Sequence, residues 1–249
     1  MHPVKSWKRF LAVGCSHGDL IDPNAAEAVL RFKQIYKPTT TVHLGDFVDT
    51  AAFRAGAKGS EDESRDIAPD FEAGLTFLKK LRPQIIMCGN HEARLYRLQK
   101  HHNAIISELS GDLIERIRTT AAICKAEIVE DWSIRAYRTL GNYKLMHGYM
   151  YGENACRDHA EAHGNIIFAH THRAGMAKGR RDDNPTGYCV GTLSNIPNMD
   201  YAAARRSTLS WAGGFVWGEY TDDQAVCWVH EQPQTQSVWR LPILSLIHI

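Results

Sequence analysis

The sequence predicts an α/β protein, a layered α/β/β/α sandwich. Strands and helices alternate through the first half and strands dominate the second, the pattern of two sheets covered by helices. Short polar motifs follow the apolar, strand-like runs directly, where open α/β sheets gather their ligands. With 249 residues, 44% hydrophobic and 23% charged, the chain can bury one core of the larger single-domain kind.

The elements follow from local pattern. Phe10 to Cys15 is apolar enough for a buried strand, and a glycine-bearing turn leads to a helix from about Asn24 to Tyr36. Thr40 to Leu44 is a β-branched second strand ending at Gly45-Asp46. Thr50 to Pro69 is polar, with the acidic run Glu61-Asp62-Glu63, and is expected to loop over the site. A helix from about Asp70 to Leu81 stops before Pro83, and Gln84 to Cys88 forms the third strand. Glu92 to about Ala126 is helical, expected in two pieces broken near Gly111. Strands follow at Glu127 to Glu130, Ser133 to Tyr137 and Tyr143 to His147, then a helix near Asn154 to His163 and a strand at Asn165 to Ala169. After a basic loop, Lys178 to Arg181, come strands at Tyr188 to Val190, Gly214 to Tyr220, Ala225 to Val229 and Ser237 to Leu241. No internal repeat or low-complexity linker divides the chain, so residues 1–243 are expected to form one domain. The terminal 244–249 segment is similar to the translated end of a sequencing adapter and is set aside.

Composition narrows the function. A formal charge of +1, from 29 basic and 28 acidic residues, gives no overall basic field for wholesale nucleic-acid or membrane binding. No apolar run approaches the ~20 residues that span a bilayer. The N-terminus is too polar for a signal peptide, and the six cysteines are scattered without a Cys-x-x-Cys pair. These features point to a cytoplasmic protein with reduced thiols.

Five motifs carry the chemistry: Cys15-Ser16-His17, Gly45-Asp46-Phe47-Val48-Asp49, Gly89-Asn90-His91-Glu92, His147-Gly148 and His170-Thr171-His172. Each follows a strand, so the fold should converge them on one rim. Together they supply hard and borderline ligands suited to a pair of divalent cations. Five of the thirteen histidines fall inside them.

That order and spacing resemble the calcineurin-like metallophosphoesterase superfamily, over about Phe10 to Thr192. The stretches His17-Gly18-Asp19-Leu20-Ile21 and Gly-Asn-His-Glu-Ala-Arg look most like its small phage and bacterial members. The resemblance implies a binuclear metal-dependent phosphoesterase that hydrolyses a phosphate mono- or diester by attack of metal-activated water. It implies Asp46 as the bridge, with Cys15, His17 and His172 on the first metal. Asn90, His147 and His170 would complete the second with Asp46. His91 would lie outside the metals and act on the reacting phosphoryl group, its ring held by Asp49. Two divalent ions are implied, manganese first, with iron or zinc as alternatives.

The chain departs from the pattern at Cys15, where the family normally has aspartate. Either a thiolate replaces the carboxylate and draws softer metals, or a small buried residue leaves the first metal one ligand short. Asp19 is a remote substitute. Thr50 after Asp49, and Cys88 ahead of the third motif, stand where protein serine/threonine phosphatases carry arginine, which argues against that activity. Arg94 or Arg97 could reach substrate phosphate or pair with acids on its own helix. His159 and His163, at i,i+4, lack a glutamate base between them and are expected on a solvated helix face. Arg180, Arg181, Arg205 and Arg206 are expected in solvent, and the aromatic-rich end from Trp211 in the core. Two other functions remain open: a nuclease on DNA or RNA ends, and a non-catalytic binding scaffold with a degenerate first metal site.

Overall fold

The computed structural model describes residues 6–199, 206–233 and 238–242. Its first sheet contains β1 (Lys8–Val13), β2 (Thr40–His43), β3 (Ile85–Met87) and β4 (Glu127–Val129), with β10 (Ala212–Tyr220) and β11 (Ala225–Pro233) at one edge. The order is β11-β10-β1-β2-β3-β4; β1 to β4 run parallel, and β10 and β11 are antiparallel additions. The second sheet contains β5 (Arg138–Leu140), β6 (Tyr143–Leu145), β7 (Ile166–Phe168), β8 (Ala174–Lys178) and β9 (Thr186–Val190), ordered β5-β6-β7-β9-β8. Here β6, β7 and β9 are parallel.

Alternation along β1 shows how the layers form. Phe10 and Ala12 face the second sheet, packing with Leu145, Ile167, Ala169 and Val190. Leu11 and Val13 face outward, against Val29 and Phe32 of α1 (Pro23–Tyr36) and against Phe77 and Leu81 of α2 (Ile67–Leu81). The period of two in a strand therefore feeds two cores, and each fully buried side chain of this size contributes about 1.5–3 kcal/mol. Farther along, α2 packs with α3 (Glu92–Leu98) and α4 (Ala104–Cys124) over Ile86. On the opposite side α5 (Ala155–His163) covers Ile166, Phe168 and Met146. Helix, sheet, sheet and helix layers stack as the sequence predicts.

Several elements differ from expectation. The long helical region breaks at residues 99–103, where Asn103 caps α4 by accepting from the Ile105 amide at 3.0 Å, and Gly111 lies inside the continuous helix. Ser133 to Tyr137 is no strand. The Ser133 hydroxyl donates to Asp131 at 2.7 Å and accepts from the Arg135 amide, making a turn. The segment before Lys178 forms the edge strand β8, paired with β9. The α2 helix begins at Ile67, capped by Asp66, with Pro69 tolerated in its first turn. Residues 238–241 form no strand. Ser237, Arg205, the Arg206 side chain and the 244–249 tail lie outside the described residues.

Candidate metal centre

The parallel strands deliver the site. Cys15 lies just past β1, Asp46 past β2, Asn90 past β3, His147 past β6 and His170 past β7. All are carboxyl ends, so the rim where the two sheets meet gathers the polar groups. The sheets approach closely there: a Cβ on Gly14 would lie 2.8 Å from Cβ of Ala169. A Cβ on Gly89 would lie 2.2 Å from the Asp46 carboxylate and 2.7 Å from the His147 ring, so only glycine lets those groups meet.

The backbone at these positions is strained. Cys15, His17, Asp46, His170 and His172 all have positive φ, between 50° and 71°. At about 1–2 kcal/mol each, the five together cost about 5–10 kcal/mol, comparable with the net stability of a whole domain. Packing alone gives no reason to spend that much on five residues that share one rim, and strain of this kind marks functional sites. Backbone bonds hold the turns in place: Cys15 N donates to the Gly45 carbonyl at 2.9 Å and His17 N to that of Asp46 at 2.9 Å.

Two donor sets face each other across Asp46. Its Oδ1 accepts from the His91 amide at 3.0 Å, which leaves Oδ2 for the centre. Oδ2 is 3.1 Å from His147 Nε2 and 3.9 Å from His17 Nε2. On one side, Asn90 Oδ1 lies 3.0 Å from His147 Nε2 and 2.9 Å from His170 Nδ1. On the other, ligand atoms of Cys15, His17 and His172 lie within 4.8 Å of one another, with His17 Nε2 2.9 Å from His172 Nε2. Ligands bound about 2.1 Å from one ion in octahedral geometry stand about 3 Å apart, the spacing of the His17–His172, Asn90–His147 and Asn90–His170 contacts. Asn90 and His170 are only partly buried, so the second set opens toward solvent, whereas Cys15, His17 and His172 are enclosed.

The chemistry of the donors fits cations. His17 donates Nδ1–H to Asp49 Oδ1 at 2.9 Å, so its Nε2 carries a bare lone pair. His147 donates Nδ1–H to the Leu44 carbonyl at 2.7 Å, which does the same for its Nε2. Buried lone pairs converging beside a carboxylate are what a divalent ion requires. The side chains of Cys15, His17, Asp46, Asn90, His147, His170 and His172 would hold it.

Burial lowers the His147 ring, but the Asp46 charge beside it outweighs that and raises it, so a cation bound at its Nε2 would displace a proton. Burial would raise the Asp46 carboxyl, but the imidazoles of His147 and His91 outweigh it and hold the group well below its usual range. Burial likewise opposes ionisation of Asp49, and hydrogen bonds from His17 and His91 reverse that. Burial, with His147 beside it, lowers His170 to about 3, so that ring is neutral. Burial, with the Asp46 charge, pushes the Cys15 thiol well up, so a thiolate there needs a cation to hold it. The Cys15 Sγ accepts from the His170 amide at 3.2 Å, and its carbonyl is gripped by Thr192 and Ser194.

His91 and Asp49 meet, with a second partner for each. The Asp49 Oδ1 is 3.2 Å from His91 Nδ1 but closer, at 2.9 Å, to His17. The His91 ring donates its Nδ1–H to the Asp49 carbonyl at 2.5 Å and presents Nε2 3.8 Å from Asp46 Oδ2. Arg94 faces inward: its Nη1 donates to the Asp49 carbonyl at 2.9 Å and the Thr50 carbonyl at 3.2 Å, clamping the second motif. Asp19 pairs with Arg65 at 2.9 Å and stands outside the ligand groups.

Several supporting residues escape sequence reasoning. The buried Glu92 carboxylate accepts from four amides, those of Asp46, Phe47, Val48 and Gly89, at 2.7–3.1 Å. Burial, with Asp46 nearby, still pushes it up to about 7. Asp70 accepts from the Asp49 and Thr50 amides at 2.7 Å each, and burial raises it to about 6. Arg65, from the loop expected over the site, reaches Asp49 Oδ2 at 3.3 Å. His159 is fully buried rather than solvated, with Nε2 accepting from the Tyr149 amide at 3.2 Å, just beyond His147-Gly148.

Comparison with known proteins agrees with the fold and the motifs. Residues 8–174 match the family described as calcineurin-like phosphoesterase. No curated protein matches the chain. Among solved structures it is similar to Yfce, a phosphoesterase from E. coli, at 14% identity and a TM-score of 0.40, over 88% of this chain and 96% of that one. No described helix is long and apolar enough to cross a membrane. With two thirds of its length matching that family, the chain belongs to the calcineurin-like phosphoesterases and is a metal-dependent phosphoric ester hydrolase.

Proposed function

We propose that the protein hydrolyses a phosphate mono- or diester at a centre of two divalent cations bridged by Asp46. The observation that carries this is the position of Asp46 Oδ2 between two donor sets, with its sister oxygen tied to the His91 amide. Two cations held there would supply Lewis acidity and a nucleophile from water near neutral pH. The residues do the rest. Asp49 orients His17 and the Leu44 carbonyl orients His147, so the rings are aimed before anything binds. His91 Nε2 faces the same space and is placed to stabilise the equatorial oxygens or to give a proton to the leaving oxygen. Manganese suits the Asp46, Asn90 and histidine set, and a Cys15 thiolate biases the first site toward zinc or iron.

The test is elemental analysis of protein purified without added metal, before and after manganese reconstitution, with each sample assayed on a phosphodiester and a phosphomonoester reporter. Two equivalents per chain with turnover is the expected result. One equivalent, or no turnover of either ester, removes the binuclear reading and favours a scaffold with a crippled first site.

A further inference from the structure

We infer that the cleft between α3 and Trp132 is a subsite for an ester arm that is planar, aromatic and negatively charged, an inference that rests on the hydrolase reading above. The cleft has a volume of about 530 Å³ and is lined by Tyr96, Arg97, Lys100, Glu130, Asp131 and Trp132. That size suits a small organic group. Its walls adjoin the metal centre without including a residue of it. The helix α3 begins at Glu92, directly after His91, and carries Tyr96, Arg97 and Lys100. On the other wall the Trp132 ring centroid lies 6.5 Å from that of His170, a member of the solvent-facing donor set.

The chemistry of the walls sets the ligand class. Trp132 is partly buried, and its Nε1–H donates to the Gly148 carbonyl at 3.0 Å, so the indole is held in place as a platform. A fixed indole beside a phosphoryl site favours a flat ring over an alkyl arm. Arg97 and Lys100 are exposed and carry no ion pair among the described residues. Of the two acids, Glu130 is matched by Arg118 at 2.6 Å and 2.8 Å. Asp131 accepts from the Ser133 hydroxyl and has no cationic partner among the described residues. Two cations against one uncompensated carboxylate leave the cleft positive, so a second anionic group on the ring is favoured.

Calorimetric titration of the metal-loaded protein with three non-hydrolysable phosphonates tests this: methylphosphonate, phenylphosphonate and 4-carboxyphenylphosphonate. Wild type should bind the phenyl compound about tenfold more tightly than the methyl one, the weight of one stacked ring, and the carboxyphenyl compound more tightly still. Trp132→Ala should bring the phenyl compound to the level of methyl. Trp132→Phe, which can stack but cannot donate to Gly148, should keep most of the preference. Arg97→Ala with Lys100→Ala should erase only the carboxylate increment. Equal binding of all three by wild type overturns the subsite. So does an unchanged aryl preference in Trp132→Ala, or an equal loss for all three compounds, which would mark Trp132 as a support for the Gly148 turn. Turnover of phosphate mono- and diesters is read separately. A protein that shows the ring preference yet hydrolyses no ester overturns the proposed activity and leaves the subsite standing.

Discussion

The Asp49 carboxylate lies closer to His17 than to His91: its Oδ1 is 2.9 Å from His17 Nδ1 and 3.2 Å from His91 Nδ1, the His91 ring being held instead by the Asp49 carbonyl. The shorter contact fixes which nitrogen of His17 faces the centre. Removing such an orienting carboxylate typically costs 10–100-fold in metal affinity. Asp49→Ala should therefore weaken the first metal by that factor, with Asp49→Asn milder because its amide oxygen still accepts from Nδ1–H. Metal titration followed by elemental analysis checks this. If metal content holds and only turnover falls, Asp49 acts through His91 instead.

His91 is expected to lie outside the metal ligands, although its ring nitrogen lies within 4.8 Å of ligand atoms of His17 and Asp49. Its amide supports Asp46 and its ring is fixed to the Asp49 carbonyl, leaving Nε2 toward the reacting space. In His91→Ala the backbone donor survives, so both metals should be retained. Turnover should fall by ~10²-fold or more, the usual weight of a positioned acid or electrostatic stabiliser. Loss of metal in this variant would place His91 among the ligands.

The candidate ligands are legible in the sequence because each is a polar island at the end of an apolar run. Their support is not. Glu92, Asp70 and Arg65 read as ordinary charged residues, since nothing local announces that a carboxylate will receive two or four backbone amides from another loop. Left-handed φ at Cys15, His17 and His172 is invisible too, because side chains other than glycine and asparagine rarely advertise it. His159 misleads for another reason. A helix as polar as Ala155–His163 looks solvated, yet the ring stacks on Phe168 at 4.0 Å beneath the turn that carries His147. Arg94 has the residue type expected to bind phosphate, and its Nη1 donates to two backbone carbonyls that pattern does not foretell. Sequence pattern reports which way a strand end points far better than it reports what braces it.

Cys15 offers a direct test of ligand choice. Its φ is 53°, a conformation aspartate adopts more readily than cysteine, so Cys15→Asp should fold. Exchanging a thiolate for a carboxylate should move the first site from zinc or iron toward manganese. Competition of manganese against zinc, read by elemental analysis, should shift toward manganese while the second site is unaffected. Cys15→Ala should lose first-site metal. If it keeps both metals at wild-type affinity, the thiol is a packing group and no ligand.

His159 gives the fold a pH dependence whose sign is fixed. Burial lowers it to about 4, against ~6.5 in the unfolded chain. Between those values the unfolded state binds a proton that the folded state refuses. The stabilisation is therefore complete above pH ~6.5 and is lost as pH falls toward 4, by at most about 3 kcal/mol in all. The surroundings cannot rescue the charge: Tyr149, Phe168 and His163 pack around the ring, His147 lies nearby, and the Nδ1–H is already given to the Ala155 carbonyl. Urea midpoints at pH 7, 6 and 5 should fall more steeply for wild type than for His159→Gln, which has no proton to gain. Metal loss in acid lowers both proteins alike, so the difference in slope isolates His159. Parallel slopes would show that the ring charges in place, and the buried Tyr149 contact would then have to break well above pH 4.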